Sequence, residues 1–248
     1  MIPAWNEDAA RLQSLVADAH RQLGPHDELI LVDAGPDSSL AAAPEFPQLR
    51  VLRAPRGRGT QQNRGAAEAS GAWLLFLHAD SRLEPGGLDA IRALPADTEW
   101  GWLTVRLDEP GLGYRMIERA IRLRSKLSGS ATGDQAIFVR RAVFHAIGGF
   151  PAWPLFEDLD LVDRLRRRSR GRPLGAQVVT SARRYREHGK AKTAIRMWAL
   201  RAAFRCGVSP ERLARYYAPV ISGGARTGPR PARAPSGSPP QPRRSAEV

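Results

Sequence analysis

Four short stretches of this sequence carry side chains that can hold charge or move a proton: Pro3-Ala4-Trp5-Asn6-Glu7, Asp33-Ala34-Gly35-Pro36-Asp37, His78-Ala79-Asp80 and Glu157-Asp158-Leu159-Asp160. Each of the first three follows an apolar run, so each stands where an expected strand ends. In open α/β sheets the ligand crevice lies outside the carboxyl ends of the strands. Carboxylates placed there can hold a divalent cation or take a proton from a hydroxyl. Turn chemistry accounts for part of this pattern, because Asp, Gly and Pro are favoured after any strand. Three such ends on early strands are harder to explain by turns alone. The fourth stretch reads two ways. Glu157, Asp158 and Asp160 in a first helical turn complement the helix dipole by about 0.3–1 kcal/mol each, or Asp158 is a base at the mouth of a site.

Two cationic segments could complement an anionic substrate. Arg56-Gly57-Arg58-Gly59 leads into a helix start, where free N–H groups favour phosphate, and it reads equally well as a plain basic turn. Arg183 and Arg184 follow the last expected strand and offer forked donors for a diphosphate, or are simply surface arginines.

The elements that must position these residues alternate between strand and helix, the pattern of a mostly parallel sheet covered by helices. Strands are expected at Leu29-Ile30-Leu31-Val32, at Val51-Leu52, over 73–77, over 102–107, over 137–139 and over 177–180. The run Trp73-Leu74-Leu75-Phe76-Leu77 is apolar on both faces, as in a central parallel strand. Helices are expected with Leu12, Leu15, Val16, Ala19 and Leu23 on one face, through Ala69, and over 114–126, 158–168, 193–205 and 210–217. The helix over 114–126 sets Met116, Ile117, Ala120 and Ile121 against Arg115, Arg119, Arg122 and Lys126. It can lie on an anionic membrane, but a core-facing helix with a wet basic side is the preferred reading. The run before Pro3 holds only two residues, where strands usually have about five or six. Either the chain starts late or its first strand is short.

A chain of 248 residues is long enough for one large α/β domain. Domain and tail divide at about residue 220, and 221–248 is Gly/Pro/Ser/Arg-rich without apolar periodicity, which predicts disorder. A single cysteine, Cys206, excludes an internal disulfide and a thiolate metal cluster. No run reaches the roughly 18–20 apolar residues of a spanning helix, and Trp5-Asn6-Glu7-Asp8 interrupts any leader. The expected location is the cytoplasm, with peripheral contact on the inner face of the plasma membrane compatible with it. A net charge of +13 attracts polyanions of any kind.

With these residues in view, the sequence resembles family 2 glycosyltransferases. Ile2-Pro3-Ala4-Trp5-Asn6-Glu7 is similar to their first-strand signature, and Val32 through Ser38 to their base- and ribose-contacting turn. Leu75 through Asp80 is similar to the strand bearing their Asp-x-Asp motif, with His78 in place of its first aspartate. Gly148-Gly149-Phe150-Pro151, followed by Glu157 through Leu161 and Arg164, is similar to the segment holding their catalytic base. A closer resemblance is to a bacterial glycosyltransferase-like subgroup without a characterised acceptor. Its marks are Arg56-Gly57-Arg58-Gly59 with Gln61 and Asn63, His78-Ala79-Asp80, Gly133-Asp134-Gln135, and Thr180 through Arg184.

The resemblance implies a single-domain α/β GT-A fold, a Rossmann-like mixed and mostly parallel sheet flanked by helices. It implies inverting transfer of a hexose from a UDP- or GDP-sugar to an unknown acceptor, one class being lipid-linked. Carried over residue by residue, Asp158 is the base. Pro3, Asn6, Glu7, Asp33, Arg58, Asn63, His78 and Arg184 bind the donor, while Asp134, Gln135 and Glu157 face the acceptor. Asp80, with His78, holds Mn²⁺ or Mg²⁺. Imidazole suits Mn²⁺ better than Mg²⁺, or His78 contacts the donor instead. Two other classes fit the sequence less well. A basic nucleic-acid-binding protein lacks any recognisable reader motif. A nucleotidyltransferase on a related sheet places its glycine-rich loop after the first strand, whereas here that loop follows the third.

Overall fold

The computed structural model describes residues 1–35 and 46–217. Asp37 and Ser38 of the second strand-end motif, and the expected tail over 221–248, lie outside the described residues.

Strands β1 (Ile2–Ala4), β2 (Leu29–Asp33) and β3 (Leu49–Arg53) pair in parallel, in the order β1-β2-β3. Five further strands are β4 (Trp73–Leu75), β5 (Ser81–Leu83), β6 (Trp100–Leu107), β7 (Ile137–Arg140) and β8 (Arg172–Thr180). They lie in the order β4-β7-β6-β8-β5. There β6 and β8 run parallel and the other three pairings are antiparallel. The two halves meet at Met1. Its nitrogen donates to Leu75 O (2.7 Å) and its carbonyl accepts from Leu77 N (3.0 Å), the bonding of a parallel pairing opposite Phe76. The result is one mixed sheet, parallel where β1, β2 and β4 lie side by side. Their carboxyl ends therefore open on the same edge.

The central run at 73–77 behaves as its composition predicts, though its regular ladder stops at Leu75 and its other neighbour, β7, is antiparallel. Side chains alternate across a strand. Thus Ile30 and Val32 of β2 enter one apolar cluster with Leu74, Phe76, Trp100 and Leu161. Leu29 and Leu31 enter the cluster on the opposite face with Leu12, Leu15 and Val16. A continuous apolar run is what a strand buried on both faces needs.

Helices cover both faces: α1 (Ala9–His20), α2 (Arg58–Glu68), α3 (Gly87–Arg92), α4 (Leu112–Ser128), α5 (Arg141–Ala146), α6 (Glu157–Arg168), α7 (Arg183–His188), α8 (Lys190–Arg205) and α9 (Pro210–Tyr217). Asp8 caps α1 by accepting from Arg11 N (2.9 Å), one of the free donors of a helix start. Short elements that sequence periodicity missed, β5, α3, α5 and α7, hold three to six residues each. That is too short to show a period.

One expectation is corrected. The apolar side of α4 faces inward only in part: Ile117 packs against Leu107, Tyr114 and Ala182, while Met116 and Ala120 are exposed. Tyr114, Glu118 and Ser125 are its buried residues, while Met116 is 61% and Leu127 78% exposed. The reason is the Glu118 carboxylate, which accepts from Leu107 N at the end of β6 (2.7 Å) and pairs with Arg115. An acid that satisfies a buried N–H docks the helix by its polar side.

Candidate active site

Beyond the carboxyl ends of β1 and β4 lies a cleft of about 430 Å³, within the usual range for small-molecule sites. Pro3, Glu7, Arg58, His78, Asp80, Glu157 and Arg184 line it, so seven of the expected site residues meet there. Five arginines (Arg11, Arg56, Arg58, Arg183, Arg184) against three carboxylates (Glu7, Asp80, Glu157) give its wall a cationic excess. That balance suits a diphosphate. An equal volume at the opposite edge of the sheet, lined by Leu23, Ile30, Leu75 and Ile91, is largely apolar and holds none of these residues.

The parts of the cleft are held from behind. Gln61 of α2 is buried, and its amide donates to Ala4 O and Val32 O, each at 2.7 Å. It thereby ties together the ends of β1 and β2. Arg58 opens α2 and pairs through Nε with Glu157 Oε1 at 2.9 Å. Burial raises the Glu157 carboxyl above its ordinary value, Arg58 opposes this, and neighbouring Asp158 adds to it. Its Oε2 has no hydrogen-bond partner among the described residues. Burial, helped by the charge of Asp80, also raises Glu7. His78 is pushed down by burial and by Arg58, which keeps the imidazole neutral.

Asp158 lies behind His78. Its Oδ2 accepts from Gly133 N (2.6 Å) and its Oδ1 from Leu159 N (2.8 Å). Each oxygen keeps a lone pair for another donor. Gly133 is required by close approach. A Cβ there would stand 2.5 Å from His78 Nε2 and 3.3 Å from Asp158 Oδ2. Next to it, Asp134 is disfavoured as an anion by burial, yet its bond from the Thr132 hydroxyl and the charges of Arg201 and Arg124 hold it below the usual carboxylate range. Among the described residues, three non-glycine ones have positive φ: Asn6 (53°), Ala136 (46°) and Phe156 (64°). They stand directly after β1, after Gly133–Gln135 and before Glu157, so backbone strain gathers at this site, as it commonly does where function over-determines the chain.

Four expected residues lie elsewhere or are otherwise engaged. Asp33 is fully buried, accepting from Gly35 N (3.0 Å) and Arg53 Nη1 (2.8 Å). Asn6 is exposed and does not line the cleft. Both ends of the Asn63 amide bond Phe150, whose N–H and carbonyl lie at 2.9 and 2.8 Å. Gln135 is buried and accepts from Ser125 Oγ (2.9 Å) and Thr132 N (3.2 Å). Asn63 and Gln135 thus serve as braces. Asn63 clamps the loop that Arg164 also holds through Gly149 O, and Gly149, at φ 67°, leaves room for Asn63 Oδ1 that a Cβ would fill at 2.6 Å.

Arg56, from the cationic segment expected to meet an anion, stacks 3.5 Å from the Trp5 ring centroid, a cation–π contact. Sequence reasoning missed two other groups at the cleft. Trp153 and Tyr217 arrive from remote segments, and the Tyr217 hydroxyl takes a hydrogen bond from Arg184. Nothing local in the sequence marks either one. No group of three or more His, Cys, Asp or Glu side chains among the described residues forms a complete metal site. Asp80 and His78 fit a cation only as a partial set. Mg²⁺ sites are commonly of this kind, one or two carboxylates with substrate phosphates and water supplying the rest.

Several known proteins resemble this chain. Residues 1–148 match the family model described as glycosyl transferase family 2. PGL/p-HBAD biosynthesis glycosyltransferases of Mycobacterium tuberculosis (strain ATCC 25177 / H37Ra) and Mycobacterium bovis (strain BCG / Pasteur 1173P2) are each 31% identical over 163 residues, covering 60% of this chain and 61% of theirs. The chain therefore spans about three fifths of the length of these curated relatives. Among solved structures, S. aureus TarS 1-349 in complex with UDP-GlcNAc superposes with a TM-score of 0.58 at 16% identity, over 73% of this chain and 57% of that one. The mannosyltransferase PcManGT from Pyrobaculum calidifontis, in complex with GDP-Man and Mn²⁺, gives 0.58 at 18% identity, over 90% and 69%. The fold is GT-A.

Proposed function

This chain belongs to glycosyl transferase family 2, and from that premise we propose that it transfers a hexose from a UDP- or GDP-sugar to an acceptor hydroxyl with inversion. The observation that carries the reading is the cationic cleft at the strand ends, where Arg58, Arg183 and Arg184 face Asp80 and Glu157. As the acceptor oxygen bonds to the anomeric carbon, its proton passes to the Asp158 carboxylate. The bond from that carbon to the phosphate oxygen breaks, and its electron pair leaves with the nucleoside diphosphate. Asp158 suits this step because bonds from Gly133 N and Leu159 N fix its orientation. The arginines take the departing diphosphate as forked donors.

Asp80, with His78, would hold Mn²⁺ or Mg²⁺, which when bound offsets negative charge on the departing group. Pro3 and Glu7 border the donor, and Asn6 stands on the exposed loop between them, outside the cleft. Asp33 serves the nucleoside end by holding the Gly35 turn, and Asn63 steadies the loop before Asp158 by bracing Phe150. Asp134 and Glu157 face the acceptor, with Gln135 behind them. No helix among the described residues is long and apolar enough to cross a membrane. Exposed Leu112, Met116, Leu123 and Leu127 on α4 nevertheless favour peripheral contact with the inner face of the plasma membrane and a lipid-linked acceptor.

Calorimetric titration of UDP and GDP, with and without Mn²⁺, tests the reading. One nucleotide binds, and more tightly with the metal in the parent protein than in Asp80→Ala. Failure of both nucleotides to bind under either condition removes the transferase reading.

A further inference from the structure

Helices α4 and α8 run side by side in the same direction. Near their starts, Lys190 Nζ sits 4.1 Å from the Tyr114 ring centroid, and a Cβ on Gly113 would touch the Lys190 side chain at 3.2 Å. Ten residues beyond Tyr114 and eleven beyond Lys190, Arg124 and Arg201 stand close enough that the charge of Arg201 acts on Arg124. At 1.5 Å per residue the shared span is about 16 Å. A second cleft, of about 110 Å³, opens between the helices. Its walls are Ile117 and Ile121 from α4 and Met197 and Trp198 from α8, and Trp198 is 61% exposed at the rim.

The floor of this cleft is charged. Arg124, Arg184 and Arg201 stand there against a single acid, Asp134. Arg124 Nη2 reaches Ser125 Oγ (3.2 Å), Thr132 Oγ1 (3.3 Å) and Gln135 Oε1 (3.2 Å), but Arg124 Nε and Arg201 Nε are buried with no acceptor among the described residues. Burial, and then the charge of Arg201, push the Arg124 guanidinium below its ordinary value. Cations crowded together with unmet donors are destabilised until an anion joins them. The same floor adjoins the base. Asp134 follows Gly133, whose N–H holds Asp158 at 2.6 Å.

We propose that the α4–α8 cleft is the acceptor site, and that the acceptor is an amphiphile with one phosphate or carboxylate group joined to an apolar chain. Arg124 and Arg201 take the anion, and Ile117, Ile121, Met197 and Trp198 flank the chain. The hydroxyl to be glycosylated is brought past Asp134 to Asp158. This assignment rests on the glycosyltransferase reading and names the chemistry of its second substrate.

The test is calorimetric titration of the full chain with dodecyl phosphate and with dodecanoate, each below its micelle concentration. Dodecyl maltoside and inorganic phosphate serve as the neutral and chainless probes. At least one of the two anionic amphiphiles binds, and whichever binds identifies the anion. Both controls bind at least tenfold more weakly. Arg201→Gln and Trp198→Ala, both at partly or largely exposed positions, each weaken amphiphile binding tenfold or more and leave UDP or GDP binding unchanged. Equal affinity for the neutral amphiphile, unaltered binding in both variants, or no binding of either anion overturns the assignment. If nucleotides bind normally in that case, only the acceptor site falls. If nucleotides fail while the amphiphile binds and the variants respond, the cleft stands as a binding site and the transferase reading falls.

Discussion

At the residue scale, the site depends on Gly133 as much as on the acids around it. Its N–H orients Asp158, and its missing side chain admits the His78 ring. Asp158→Asn keeps the shape but removes the proton acceptor, so kcat falls by about 10²–10⁴-fold with nucleotide affinity unchanged. Gly133→Ala does the reverse. It keeps every acid but displaces His78 and Asp158, and a misplacement of about 1 Å can cost about 10²-fold. Steady-state kinetics alongside nucleotide titration checks both. A Gly133→Ala protein with parental kcat would show that this close approach does not set the geometry.

Helix α2 connects three parts of the site. Gln61 fixes the strand ends, Arg58 faces the cleft, and Asn63 clamps Phe150 on the loop before α6. Asn63→Ala leaves a backbone N–H and a carbonyl of Phe150 without partners, each costing about 1–3 kcal/mol if it stays buried. The melting temperature is expected to drop by several degrees, at about 2–4 °C per kcal/mol for a domain of this size. Donor affinity stays within twofold. A loss of donor affinity at an unchanged melting temperature would instead make Asn63 a direct ligand. Arg56-Gly57-Arg58-Gly59 was readable as a helix start with phosphate-binding potential, but the partners of Asn63 were not. They lie 87 residues away in sequence.

For the whole molecule, the +13 charge acquires a direction from α4. Leu112, Met116, Leu123 and Leu127 are exposed among Arg119, Arg122 and Lys126, while Ile195 and Trp198 extend the apolar surface onto α8. Basic side chains around exposed apolar ones suit an anionic bilayer. Co-sedimentation with vesicles containing phosphatidylglycerol is expected, and with pure phosphatidylcholine it is not. Binding weakens as salt shortens the Debye length from about 10 Å at 0.1 M toward about 3 Å at 1 M. Met116→Ser with Leu127→Ser reduces it further. Equal sedimentation with both lipids would remove charge from the explanation.

The sequence by itself determined what local chemistry can encode. Apolar runs set the strands, polar residues directly after them marked the ends, and helical periods placed the long helices. Parallel neighbours β1, β2 and β4 then carried those ends to one edge, so Pro3, Glu7, His78 and Asp80 were legible as a group. Only the tertiary structure decided how side chains are shared between distant segments. It buried Glu118 against Leu107 N and left Met116 and Leu127 of α4 outward. It engaged Asp33 with Arg53, made Asn63 and Gln135 braces, and set Arg124 opposite Arg201. A period or a motif reports the neighbours of a residue along the chain, whereas a hydrogen bond or an ion pair depends on which groups folding brings within about 3 Å.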